Sequence, residues 1–531
     1  MSTALAPAIA RPHAAATAAH RYKWPIAFGV TLAAILELVD TSIVNVALSQ
    51  MSANLGATLD EVTWVAVAYI LASVIVLPAT GWFASRFGRK RYFLTSITIF
   101  TVASVCCGLS SSLNVLIVWR IIQGLGGGAL ISTSQAILFD TFPPAEKATA
   151  SAVFGIGAML GPALGPTLGG IIVEHYTWPW IFLVNIPFGI LAYALTAKFY
   201  RKDPPRTGVV PPIDVLGFAL LAIGLGALQF VLERGEHYDW FESHLIISLA
   251  VTATIALVTL IWWELHTRHP VLDLRVLRHP SLTAACMQMF AAGMALYGSV
   301  FALPLYMQSL LGFNAESTGW QIFPSAVASG ITMMATARVL PRIHPRVLVA
   351  LGMIVLASSM FMHATLTTQS GSPDLYLPVI MRGMGFGLIF VPITTGAFAT
   401  LTARDVPAGA ALFNLLRQLG GSVGIAMVAT QLTTATARHR AQLVEHVVAG
   451  APLTDARVAG LTRYFLRTTP DSLYAARRAL AALDHQVEAQ ANMLAFRDAF
   501  TLLGAVVLLS IPLVFLLRRP KGTAAPAADV H

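Results

Sequence analysis

The sequence predicts an all-α integral membrane protein whose fourteen spanning helices fall into groups of six, two and six. Three observations predict it. Hydrophobic residues make up 56% of the 531 positions and charged residues only 11%, with a mean hydropathy of +0.71, whereas a soluble domain carries about 25% charge. The apolar residues gather into runs that match the roughly 20 residues needed to cross about 30 Å of hydrocarbon. In the short connections between those runs, lysine and arginine sit almost entirely on alternate sides.

The runs lie near 24–49, 62–83, 92–110, 114–138, 149–172, 181–200, 214–233 and 244–264, then near 282–310, 317–338, 346–367, 375–399, 408–433 and 496–518. Residues 1–23 read as an N-terminal tail and 24–200 as a six-helix half. Residues 201–280 read as an inserted two-helix hairpin with flanking loops. A second six-helix half occupies 281–518 and contains a long loop at 434–495, and 519–531 form a C-terminal tail. No cleavable signal is needed to explain the N-terminus, which is Ala-rich and polar before Arg21 and Lys23.

Orientation follows from the short loops. With the N-terminus in the cytoplasm, the inner loops carry Arg86, Arg89, Lys90, Arg91, Lys147, Lys198, Arg201, Lys202, Arg206, Arg268, Arg275, Arg278, Arg338, Arg342, Arg346 and Arg404, and the short outer loops carry only Arg234. Both termini are therefore expected inside, with Arg518, Arg519 and Lys521 closing the chain. The net charge of +9 is a topology signal on this reading, and nucleic-acid binding is not expected. Cys106, Cys107 and Cys286 all lie in apolar runs, which gives neither a disulfide framework nor metal-ligand spacing. No Gly-x-x-x-x-Gly-Lys-Ser/Thr loop is present, and neither a cofactor nor a metal is expected.

The arginine-rich loop 434–495 falls outside, and long loops are exempt from the charge rule. Its Ala-rich stretch 470–494, with Leu473, Leu480, Leu483 and Val487, reads as an amphipathic helix. Its expected role is either a solvated cap or a platform for a periplasmic partner.

The two halves repeat weakly, as in many secondary transporters. The loops after the second segment of each half are both basic and turn-rich, over 81–91 and 337–346. The fourth segments open Arg120-Ile-Ile-Gln-Gly124 and Arg382-Gly-Met-Gly-Phe-Gly387. Both fifth segments are glycine-rich, the second reading Arg417-Gln-Leu-Gly-Gly-Ser-Val-Gly424. In the first of them Gly157, Gly161, Gly165 and Gly169 recur every four residues, with Pro162, Pro166 and Gly170 among them. At about 3.6 residues per turn these glycines stay near one face and admit a close backbone neighbour. In water such a helix loses about 1 kcal/mol per glycine and about 3 per interior proline relative to alanine. In a bilayer the backbone has no water to turn to, so the helix bends instead of melting. The expected role is a bent, close-packed interface between the halves.

Five charges stand out inside the apolar runs: Glu37, Asp40, Arg120, Arg382 and Arg417. A charge at bilayer depth is a functional candidate unless paired or solvated. Glu37 and Asp40 stand at i and i+3 and share a helix face. Two carboxylates in one poorly hydrated place compete for ionisation, the situation a proton carrier uses. Arg120 then either switches the pair or fixes it as a static buried ion pair. One charge moving through 100 mV and half a pH unit supplies about 3 kcal/mol, enough to hold roughly a hundredfold solute gradient.

These features resemble the major facilitator superfamily, and within it the fourteen-helix drug:proton antiporters of the EmrB/QacA type, over about residues 24–518. Gly81, Arg86, Gly88, Arg89 and Lys90 match the second-loop motif, with Ser85 where an aspartate is usual. Arg120, Gln123 and Gly124 match the fourth-helix motif linked to proton transfer. Gly161-x-x-x-Gly-Pro-x-x-Gly-Gly170 matches the fifth-helix motif of antiporters, with Ala152 where a further glycine is expected. The stretches Asp40 to Leu48 and Trp178 to Gly189 are similar to signatures of the fourteen-helix family.

The resemblance implies a major facilitator fold in the bacterial inner membrane and export of hydrophobic or cationic compounds in exchange for protons by alternating access. It makes Asp40 a proton and substrate site candidate, with Glu37 where an uncharged residue is more usual. It implies small amphipathic substrates, contact with membrane lipid and, in some members, a periplasmic adaptor of EmrA type. Candidate cavity residues are Trp64, Tyr69, Gln123, Tyr297, Tyr306, Gln308 and Arg417. The rival readings are a dedicated metabolite or siderophore exporter and a transport-inactive receptor or scaffold of the same fold. No nucleophile, base and orienter cluster suggests an enzyme.

Overall fold

The computed structural model describes residues 22–517 apart from 144–145, 202–213, 269, 400, 403–404 and 469–470. Arg21, Lys202, Arg206, Arg404, Arg518, Arg519 and Lys521 lie outside the described residues, as do residues 1–21 of the first tail and all of the second. Among the described residues there are fourteen helices long and apolar enough to cross a membrane. They are α1 (Lys23–Leu55), α2 (Asp60–Phe87), α3 (Arg89–Gly108), α4 (Leu113–Thr141), α5 (Lys147–His175), α6 (Trp180–Phe199) and α7 (Val215–Arg234). After these come α8 (His244–His266), α9 (Pro280–Ser309), α10 (Glu316–Val339), α11 (Pro345–His363), α12 (Ser372–Phe398), α13 (Val406–Val444) and α14 (Ser472–Leu516).

An even number of crossings returns the chain to the end where it began. That terminal end is tied by Lys23 to Glu146 at 2.6 Å and by Arg346 Nε donating to the Leu517 carbonyl at 2.8 Å. Turns at the boundaries have local causes. Thr58 and Glu61 form a reciprocal capping box at the start of α2. Gly56 and Gly88 end α1 and α2 at φ of 63° and 88°, where a side chain would be strained.

The four-residue glycine stripe of α5 packs on α1, within its own half. A Cβ at Gly157 would meet Thr31, at Gly161 Leu38, at Gly165 Ser42 and at Gly169 Ile43. This corrects the expectation that the stripe lies between the halves. A different face of α5 does that: Gly155 abuts Met333 and Phe390, and Thr167 sits against Gly319. Pro162 and Pro166 stay inside one continuous helix from Lys147 to His175, with Gly170 buried beside them. The second half repeats the pattern, with Gly420 and Gly424 of α13 set against the Phe290 and Met294 carbonyls of α9.

At the terminal end the halves also meet through Asn414 Nδ2 donating to Gln135 Oε1 at 2.8 Å, and Phe139 standing edge-on to Phe398 at 5.0 Å. At the far end α7 bridges them. Arg234 pairs with Asp60 of α2 at 2.6 Å, while Gln229 Nε2 donates to Ser422 of α13 at 2.6 Å. The outer face of α8 is exposed and apolar, with Val251, Ile255, Val258 and Trp262, as a lipid-facing helix requires.

The helix expected over 470–494 is no separate element: it runs unbroken into the last span from Ser472 to Ser510. No glycine or proline interrupts 472–503, and alanine-rich sequence favours helix. The 39-residue helix α13 is about 58 Å long at 1.5 Å per residue, so the α13 and α14 pair projects well beyond a hydrocarbon layer of about 30 Å. The short helix Pro452–Leu466 folds back on this projection, with Arg457 bonded to Gln486 and Arg478 lying 4.6 Å from the Phe465 ring centre.

Candidate functional site

The four-residue stripe sets α1 deep in the first half, and the glycines of α4 bring Arg120 to it. A Cβ at Gly124 would collide with the Tyr69 carbonyl, so α4 lies against the backbone of α2. Arg120 reaches from there to both α1 and α2. Its Nη1 is 2.5 Å from Asp40 Oδ2 and 2.8 Å from Gln123 Oε1, and its Nε donates to the Val65 carbonyl at 2.9 Å. The guanidinium lies 4.2 Å from the Tyr69 ring centre and 5.5 Å from that of Phe182, within cation–π range.

Asp40 is fully buried and accepts two further bonds, from Gln123 Nε2 at 2.9 Å and Asn185 Nδ2 at 3.1 Å. Gln123 and Asn185 also donate to Ser104 Oγ, whose hydroxyl donates to the Phe182 carbonyl. The carboxylate thus has three side-chain donors, one of them charged. Such a buried pair is stable while intact and costly to break from one side. Protonating Asp40 removes the charge that holds Arg120.

Glu37, one turn earlier, is 3% exposed, and its Oε2 has no hydrogen-bond partner. Arg417 of α13 acts on it electrostatically across the halves, yet the two are not within ion-pair distance. Arg417 instead donates to Tyr297 Oη at 2.5 Å.

Of the expected cavity residues, Tyr69, Gln123, Tyr297 and Arg417 lie in these two groups. The others stand elsewhere. Trp64 packs against Phe230 of α7 under Arg234, Tyr306 donates to the Thr367 carbonyl and packs on Phe496, and Gln308 is exposed near the end of α9. The second-loop motif ties the terminal end of the first half. Arg89 pairs with Asp140 at 3.5 Å, and Lys90 donates to the Ala197 and Tyr200 carbonyls. Gly81 faces Ala408 of the other half, while Arg86 is half-buried. Asn185 and Ser104 were not anticipated. Asn185 lies in the stretch Trp178 to Gly189, so a signal existed; Ser104 carried none.

The Major Facilitator Superfamily profile matches residues 30–425. The chain is 32% identical over 503 residues to the multidrug export protein EmrB of Escherichia coli strain K12, covering 94% of this chain and 96% of that protein. It is 30% identical over 495 residues to the fatty acid resistance protein FarB of Neisseria gonorrhoeae, covering 93% and 96%. Among solved structures, the proton:xylose symporter XylE superposes with a TM-score of 0.56 at 12% identity, covering 93% of this chain and 95% of that one. A bacterial homologue of the human lysosomal transporter Spinster gives 0.54 at 13%, covering 95% and 99%. Together with the fourteen helices and the arginine-carboxylate pair between α1 and α4, these likenesses establish that the chain belongs to the major facilitator superfamily, in its EmrB/QacA-type branch.

Proposed function

We propose that this chain is a drug:proton antiporter that exports hydrophobic or cationic compounds across the bacterial inner membrane, with both termini in the cytoplasm. The observation that carries the reading is the buried Asp40 and Arg120 pair. A membrane-embedded carboxylate with a dedicated arginine is a place where one proton changes the net charge, and with it the packing between α1 and α4. In the proposed cycle a proton from the outer side neutralises Asp40 and loosens Arg120, and the halves rock. The proton leaves to the inside as Arg120 pairs again. Substrate and proton thus use the site in alternation.

Relatives named for multidrug export and for fatty acid resistance support the substrate class. The projecting α13 and α14 pair supports a further assignment, docking of a periplasmic adaptor of EmrA type. The direct test is Asp40→Asn, which keeps the size and acceptor oxygen but cannot ionise. In inverted vesicles this variant is expected to be inserted at normal levels and to lose uphill, proton-driven export. Full uphill export by Asp40→Asn would remove Asp40 from the coupling step.

A further inference from the structure

Arg382 holds in the second half the place that Arg120 holds in the first. Each stands on the fourth span of its half and reaches the first and second spans. Arg120 reaches Asp40 on α1 and the Val65 carbonyl on α2. Arg382 reaches Ser299 Oγ on α9 and Ser325 Oγ on α10, both at 3.4 Å. The acid of the first half is thus answered by a serine in the second.

Arg382 is 3% exposed, and no carboxylate among the described residues comes within ion-pair distance of it. The buried carboxylates of the described chain are Glu37 and Asp40 on α1 and Glu264 on α8; the helices α9–α14 have none. Arg382 acts electrostatically on His363, which supplies no negative charge. His363 Nδ1 donates to the Ser359 carbonyl at 2.7 Å, its Nε2 is buried without a partner, and its ring stacks on Phe500. A guanidinium does not shed its proton. Two long bonds to neutral hydroxyls are a weak substitute for the charge-assisted, forked bonds that a carboxylate gives it.

We propose that Arg382, with Ser299 and Ser325, forms an anion-binding subsite in the second half that takes the carboxylate of an acidic or zwitterionic amphiphile. The subsite's role in transport rests on the export reading above, whereas anion binding itself does not.

The test is calorimetric titration of the full chain in lipid nanodiscs with sodium benzoate, with sodium chloride, and with tetraphenylphosphonium as a cation control. The variants are Arg382→Gln and Ser299→Asp. The second supplies Arg382 with an internal carboxylate at the position that answers Asp40, and so occupies the subsite without removing the cation. Benzoate is expected to bind the wild-type chain saturably and to lose about tenfold or more in affinity in both variants, the scale of one charge-assisted contact. Tetraphenylphosphonium affinity is expected to stay within about twofold, which also reports that the variants are folded. Three results would overturn the proposal: no saturable benzoate binding, benzoate binding unchanged in both variants, or saturable binding of chloride alone. Loss of drug flux with benzoate binding still sensitive to Arg382→Gln would overturn the export reading and leave the anion site standing.

Discussion

Asp40 and Glu37 differ by one helical turn and by everything around them. Asp40 has three donors, including a guanidinium at 2.5 Å, while Glu37 has a buried oxygen with no partner. A carboxylate already held by an arginine is suited to exchanging that partner for a proton. One left unpartnered is suited to an incoming donor, such as a substrate ammonium. Glu37→Gln is therefore expected to leave proton coupling in place and to shift preference away from cations. The affinity for a monocation should fall about tenfold relative to an uncharged analogue, the scale of one buried charged contact. Competition binding on purified protein checks this, and equal losses for charged and uncharged compounds would contradict it. The charged members of the site were legible in the sequence because a charge inside an apolar run is conspicuous. Their neutral partners Asn185 and Ser104 were not, since an amide or hydroxyl in such a run is ordinary until its neighbours are known. Residue type alone marks Trp64, Tyr306 and Gln308 as candidates, and the structure places them against α7, against Phe496 and at an exposed helix end.

At the level of elements, the glycine stripe of α5 gains a more specific role than packing between halves. Its glycines press on α1 over the turns that carry Asp40, and Gly165 faces Ser42, two residues beyond that carboxylate. A side chain there must displace α1 and with it Asp40. Gly165→Leu is expected to keep measurable drug binding, to lose most transport turnover, and to destabilise the fold by about 1–3 kcal/mol through overpacking. Flux in proteoliposomes and thermal unfolding check the two parts, and wild-type turnover would return the stripe to a purely structural role. Spacing of four residues announced a close helix contact but not its partner. Partner choice is a tertiary fact, and α5 offers glycines on more than one face.

The whole molecule is legible to the extent that a bilayer simplifies it. Hydrophobic length gave the number of spans, and alternating basic loops gave a sidedness that stands as a proposal. The long helices α13 and α14 were less legible, because a helix leaving the membrane no longer carries the apolar signal and continues by propensity alone. The arrangement of two halves, joined by α5 and α10, by the Asn414 and Gln135 contact and by the α7 bridge, is one in which a proton at α1 and a drug between the halves can exclude one another. That exclusion is the central claim, and direct proton release tests it. Drug is added to purified, weakly buffered protein, and the pH of the solution is followed. Wild-type protein is expected to release on the order of one proton per drug bound, and Asp40→Asn none. Saturable drug binding by the wild type without proton release, or equal release by Asp40→Asn, would contradict the account.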